Sequence, residues 1–136
     1  MGAGYSKRSL VEKLGIKPEH RVRLVNQPPG YEVLLGALPQ AVVLVEGEEG
    51  DLDFLQYFTM SQHEIRSEFP ALAGQIKFSG TLWISWPKRS SSVVTDLNEN
   101  VIRDIGLSNG LVDVKVISVD ETWSGLKFVY RLKDRK

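Results

Sequence analysis

The chain has 136 residues, with seventeen Lys and Arg balancing seventeen Asp and Glu, so no overall field draws it toward nucleic acid or an anionic membrane, although a local patch remains open. It has no cysteine and only two histidines, His20 and His63, which excludes disulfides, thiolate nucleophiles, cysteine-held metals and a histidine-rich metal site. A hydrophobic content of 42% and a charged content of 25% are those of an ordinary folded protein, and the length suits one domain over 9–132 between a polar arm over 1–8 and a charged tail over 133–136. Neither a secretory leader nor an apolar run of membrane-spanning length is visible, and the chain reads as soluble and cytoplasmic.

Ser9 is placed to cap a short helix over 10–14 that Gly15 stops. Charged and apolar residues alternate over 21–25, which predicts the first strand. Asn26-Gln27-Pro28-Pro29-Gly30 is a rigid turn into a second short helix over 31–36. The apolar run over 41–45 predicts a strand buried on both faces, as in a parallel sheet, ending at Glu46. A third strand over 54–58 leads to Ser61, which caps a helix over 62–69 with Glu64 in capping-box position and Pro70 expected to bend or interrupt it. The fourth strand covers 81–86 within Gly80-Thr81-Leu82-Trp83-Ile84-Ser85-Trp86-Pro87-Lys88. Asp96 is expected to cap a helix over 97–105 ended by Gly106, and strands over 111–119 and 126–132, joined by the turn over 120–125, should pair antiparallel.

Strands alternating with helices predict an α/β three-layer sandwich around a mostly parallel six-stranded Rossmann-like sheet with an antiparallel hairpin at its end. That closing hairpin is similar to the end of the Rossmann-like methyltransferase fold, here shortened, and the resemblance implies the strand order 2-1-3-4-6-5.

Ligands of such sheets collect outside the carboxyl ends of the strands, near the point where strand order reverses. Four residues there are candidate ligand contacts. Glu46, ending the second strand, is placed as a ribose-binding acid would be; Lys88 follows the fourth strand with an aromatic neighbour and a second cation; Asp120 and Trp123 lie in the final turn, where Asp120 could face Lys88. Asp120 could equally shape the turn and Trp123 cover the core. Trp83 and Trp86, three apart in a strand, point to opposite faces and form no common platform. The first loop has two prolines where a phosphate cradle needs N–H donors and glycines, so phosphate binding there is disfavoured. No Ser-His-Asp spacing and no partner for either histidine point to a catalytic group.

Four segments together resemble a bacterial family named domain of unknown function 3052: Lys13-Leu14-Gly15-Ile16-Lys17-Pro18, Gly80-Thr81-Leu82-Trp83-Ile84-Ser85-Trp86-Pro87-Lys88, Gly110-Leu111-Val112-Asp113-Val114-Lys115, and Asp120-Glu121-Thr122-Trp123-Ser124-Gly125-Leu126-Lys127-Phe128. The resemblance implies a small cytoplasmic α/β protein and transfers no catalytic residues. Sequence reasoning thus favours a non-enzymatic binding or regulatory module without a catalytic residue. The alternative is a minimal nucleotide- or methyl-donor-binding enzyme that uses the crevice at the strand ends. The cofactor and the physiological partner stay open, with a small-molecule ligand and a homodimer through an exposed strand edge as the partner expectations and nucleic acid disfavoured.

Overall fold

The computed structural model describes residues 8–134, so the expected arm, apart from Arg8, and the last two residues of the expected tail lie outside it. The helices are α1 (Leu10–Leu14), α2 (Tyr31–Leu35), α3 (Gln62–Ala73) and α4 (Glu99–Ser108); the strands are β1 (Arg21–Val25), β2 (Val43–Leu44), β3 (Leu52–Phe58), β4 (Ile76–Pro87), β5 (Leu111–Ser118) and β6 (Trp123–Tyr130). One six-stranded sheet runs β2-β1-β3-β4-β6-β5. The pairs among β2, β1, β3 and β4 are parallel, and β6 runs antiparallel to both β4 and β5. This is the expected Rossmann-like order with its closing hairpin.

Alternation along the strands sends side chains to two cores. On one face Leu55, Leu82, Ile84, Trp86 and Phe128 meet Ile65 and Phe69 of α3 and Ile102 and Ile105 of α4. On the other, Val22, Phe54, Phe58 and Trp83 meet Val11 and Leu14 of α1 and Tyr31 and Leu35 of α2. Each fully buried Leu, Ile or Phe contributes about 1.5–3 kcal/mol, and β3 with the second half of β4 is buried on both faces. Trp83 and Trp86 do face opposite cores. Trp83 also donates from Nε1 to Leu14 O at 3.0 Å, which fixes α1 to the sheet.

Several local expectations are corrected by packing. The strand expected over 41–45 shrinks to two residues, with Val43 49% and Leu44 56% exposed, because β2 is an edge strand that pairs only with the start of β1. Pro70 does not interrupt α3; Leu72 and Ala73 beyond it are held against the sheet, and that burial outweighs the missing N–H. Asn98, not Asp96, caps α4 by accepting from Val101 N at 2.9 Å. Gly106 lies inside α4, where an added Cβ would come 2.1 Å from Phe128 Cε1. Trp123, Ser124 and Gly125 belong to β6, not to a turn. Gly80 marks an irregularity within β4 where a Cβ would come 2.6 Å from Leu52 O, so a larger residue has no room there. Among the described residues, no helix is long and apolar enough to cross a membrane.

Candidate functional site

Strand β1 lies between β2 and β3, so the chain leaves β1 toward one neighbour and later enters its other neighbour. Helix α2, which follows β1, packs on one face of the sheet, while α3, which follows β3, packs on the other. The loops that leave these two strand ends therefore diverge and open a crevice between them, the position where such sheets bind ligands. A hollow of about 420 Å³ occupies that crevice, with Phe58, Trp123, Pro28 and Pro29 as its apolar walls and Asn26, Thr59 and Glu64 as its polar groups.

Each wall has a local cause. Asn26 adopts φ 60°, a left-handed conformation that its short amide tolerates better than most side chains, and so turns the chain sharply off β1. Its Nδ2 donates to Phe58 O at 3.4 Å and ties the two strand ends together. The loop backbone at Pro28 and Pro29 offers no N–H, and no phosphate cradle forms. Trp123 meets Phe58 edge to face at 5.2 Å, and Phe58 meets Tyr31 likewise at 4.9 Å. The Trp123 backbone is fixed by the Asp120 carboxylate, whose Oδ1 accepts from both Thr122 N and Trp123 N at 2.8 Å.

Glu64 faces the same crevice. Only half of the expected capping box exists: Ser61 Oγ accepts from Glu64 N at 3.1 Å, but Ser61 N donates to Thr59 Oγ1 at 3.2 Å. Thr59 Oγ1 in turn donates to Glu64 Oε1 at 2.6 Å, which draws the carboxylate away from the cap and toward the strand end. The Tyr57 hydroxyl lies in the same group and is pushed up to about 12 by burial first, then by the Glu64 and Glu68 carboxylates, with Asn26 acting in the opposite sense. Behind the crevice runs a buried polar chain. Tyr31 Oη donates to Gln56 Oε1 at 2.7 Å, and Gln56 Nε2 donates to Ser85 Oγ at 3.1 Å. Burial holds the Tyr31 hydroxyl well above its ordinary range, with the Asp120 charge adding to it against the opposing Gln56 bond.

A second hollow of about 620 Å³ lies past the end of β4 and the start of β6, lined by Trp86, Lys88, Arg89, Thr95, Glu99 and Ser124 among others. Thr95 Oγ1 donates to Met60 O at 2.6 Å and Gln62 N donates to Asp96 Oδ1 at 2.8 Å. Those two bonds pin the loop after β4 to the start of α3 and separate the hollows, since Met60 lines one and Thr95 the other.

The four residues singled out in the sequence are thus dispersed. Trp123 walls the smaller hollow and Lys88 lines the larger. Asp120 shapes the hairpin turn, and Lys88 Nζ donates to Ser118 Oγ at 2.6 Å, so the pair imagined across the sheet mouth does not form as an ion pair among the described residues. Glu46 is exposed and lines neither hollow, because β2 stops beside the start of β1. The strand-end rule points to the loops over 26–31 and 59–62, which begin at Asn26 and Thr59, but by itself it singles out neither residue as a ligand contact. Tyr57 and Glu64 carry no such signal, since they read as a strand residue and a helix cap. Among the described residues, no group of three or more His, Asp or Glu could hold a metal ion.

No family model matches the chain, so the resemblance to domain of unknown function 3052 gains no support, and no curated protein matches it. Solved structures do match. A SAM dependent methyltransferase from Aquifex aeolicus aligns over 88% of this chain and 86% of its own with TM-score 0.62 and 15% identity. Magnesium protoporphyrin IX methyltransferase from Synechocystis with bound SAH aligns over 90% and 78% with TM-score 0.55 and 11% identity. A ribosomal protein methylase from Lactobacillus delbrueckii aligns over 90% and 75% with TM-score 0.58 and 13% identity. At these identities the likeness defines the fold, which is the Rossmann-like methyltransferase fold. The preference for a non-enzymatic module is overturned by these neighbours. It rested on the missing glycine loop and on the absence of a catalytic constellation in the sequence, and neither keeps this chain from sharing its fold with methyltransferases.

Proposed function

We propose that the chain is a methyl-donor-binding enzyme that holds an S-adenosyl donor in the crevice between the ends of β1 and β3. One observation carries this reading: the Glu64 carboxylate, the Phe58 ring and the Trp123 indole all line one hollow at the strand-order reversal of a methyltransferase-type sheet. A sulfonium is a cation without hydrogen-bond donors. Aromatic faces and a nearby carboxylate are the groups that attract such a cation. The hollow's volume of about 420 Å³ falls within the range of small-molecule sites. When bound, the donor supplies an electrophilic methyl group activated by the positive sulfur.

The chain's own residues would then hold and orient it. Trp123, fixed by Asp120 and backed by Phe58, offers a rigid apolar wall. Thr59 keeps the Glu64 carboxylate aimed at the crevice, and the Tyr57 hydroxyl, with its raised pKa, stays protonated and neutral beside it. Asn26 holds the β1 and β3 ends at a set separation. A relation to the domain of unknown function 3052 family, through the segments that contain Lys88 and Trp123, belongs to the same proposal and adds no activity of its own.

Isothermal titration with S-adenosylmethionine tests this reading. Saturable binding is expected, with a matching rise in melting temperature because the donor binds only the folded chain. Trp123→Ala should weaken it by about tenfold, a loss of one good cation–aromatic contact. Absence of heat and of any melting shift at millimolar donor would sink the proposal.

A further inference from the structure

The balanced net charge hides a local concentration of cations on the face covered by α1. β5 and β6 pair as Asp113↔Phe128 but then as Lys115↔Lys127, so Val114 is an extra residue, a β-bulge. Without it the alternation would send the Lys115 side chain to the opposite face of the sheet from Lys127. Bulges re-aim side chains in this way. Here the result sets two lysines directly opposite one another on adjacent strands, a placement that costs stability by like-charge repulsion.

Helix α1 adds to the cluster. Lys115 Nζ donates to Lys13 O at 3.0 Å, which brings the α1 end of the chain over the strand pair. Lys115 feels Arg8, Lys127 and Lys13, and Lys127 feels Lys17; burial first and these cations second hold both ammonium groups below the usual lysine range. Among the described residues, Lys13, Lys17, Lys115 and Lys127 have no carboxylate within ion-pair distance; the four ion pairs fall to Arg21, Lys77 and Arg103. Lys13, Lys115 and Lys127 are half-buried and Lys17 is exposed.

We propose that Lys13, Lys17, Lys115 and Lys127 form a binding surface for the phosphate backbone of a nucleic acid. Repulsion assembled by a bulge and left without carboxylates is relieved by an external polyanion. Because three of the four stems are packed, their charges sit at set positions, which suits the discrete, regularly spaced phosphates of a nucleic acid better than the diffuse charge of a lipid surface. The surface is built from α1, the loop that follows it, β5 and β6, shares no residue with the crevice lining, and does not depend on methyl-donor binding.

Fluorescence anisotropy of the full chain with a labelled single-stranded RNA, measured against salt, tests the proposal. Four neutralised phosphates on a single strand give a slope of log affinity against log salt near −3, so affinity should fall about fifty-fold between about 50 and 200 mM salt. The double variant Lys115→Gln/Lys127→Gln should roughly halve that slope, to about a sevenfold fall over the same range. It should also melt at least as high as wild type, because removal of the like-charge pair offsets the loss of the Lys115 bond to Lys13 O. No RNA binding, or an unchanged slope in a double variant that melts as a folded protein, would overturn the assignment. Binding to phosphatidylserine vesicles but not to RNA would overturn it as well.

Discussion

Thr59 Oγ1 donates a 2.6 Å hydrogen bond to Glu64 Oε1, and that bond takes the carboxylate away from the helix cap that its position in sequence suggests. The cap then survives on Ser61 Oγ alone. A side chain that would have closed a helix end becomes instead the negative group of the crevice.

Glu64→Gln should separate charge from shape at that point. The amide oxygen can still accept from Thr59, so folding should persist, while affinity for the cationic S-adenosylmethionine should drop by about tenfold, equivalent to 1.4 kcal/mol. Affinity for the neutral S-adenosylhomocysteine should stay nearly unchanged. Equal losses for both ligands in paired titrations would show that Glu64 acts by shape and not by charge.

The buried chain Tyr31–Gln56–Ser85 makes a sharper test of packing. Tyr31→Phe leaves Gln56 Oε1 without its donor in a fully buried place and should cost about 1–3 kcal/mol. Adding Gln56→Leu together with Ser85→Ala, which removes the hydroxyl that Gln56 otherwise serves, should recover part of that loss, since an apolar trio needs no partner. Urea denaturation of both variants reads the difference, and a triple variant with the full sum of the single losses contradicts it.

Gly106→Ala would ordinarily favour a helix interior by about 1 kcal/mol. Here the new Cβ would come 2.1 Å from Phe128 Cε1, so the expected outcome is destabilisation by about 1–3 kcal/mol as the ring is displaced. A higher urea midpoint for this variant would mean that Phe128 moves without cost.

Tyr57 predicts an alkaline weakness. Its hydroxyl is pushed up to about 12 from an unfolded value near 10, so the folded state keeps a proton that the unfolded state releases. The resulting stability is complete below pH ~10 and is lost as pH rises toward ~12. Urea midpoints followed from pH 9 upward should fall less steeply for Tyr57→Phe than for wild type.

The architecture was largely legible because it rests on local patterns. The Ser9 cap and Gly15 stop of α1, the alternation in β1 and the antiparallel closing hairpin all depend on residues close in sequence; α1 and β1 stand where they were expected, and the hairpin pairs antiparallel as expected with its second strand starting three residues earlier, at Trp123. The errors fall where a neighbour decides. Apolar Val43 and Leu44 read as a buried strand, but burial requires a second partner strand, and the edge has none. Gly106 read as a helix stop, though its reason is the Phe128 ring of a distant strand.

The candidate site was less legible still. Trp123 and Lys88 were selected, yet the structure puts them in separate hollows, and Glu64 carried a complete local explanation that concealed its other use. The cation surface was hidden by arithmetic, because charges summed over a chain cancel whatever their positions.

By itself, then, the sequence determined most of the elements and their order along the chain, since periodicity and caps act over one or two turns of chain. Only the tertiary structure decided which strand ends diverge to make a crevice, that Asn26, Phe58, Glu64 and Trp123 meet there, and that one extra residue in β5 turns Lys115 toward Lys127. Those outcomes depend on strand order and register, which are set by contacts between residues far apart in the chain.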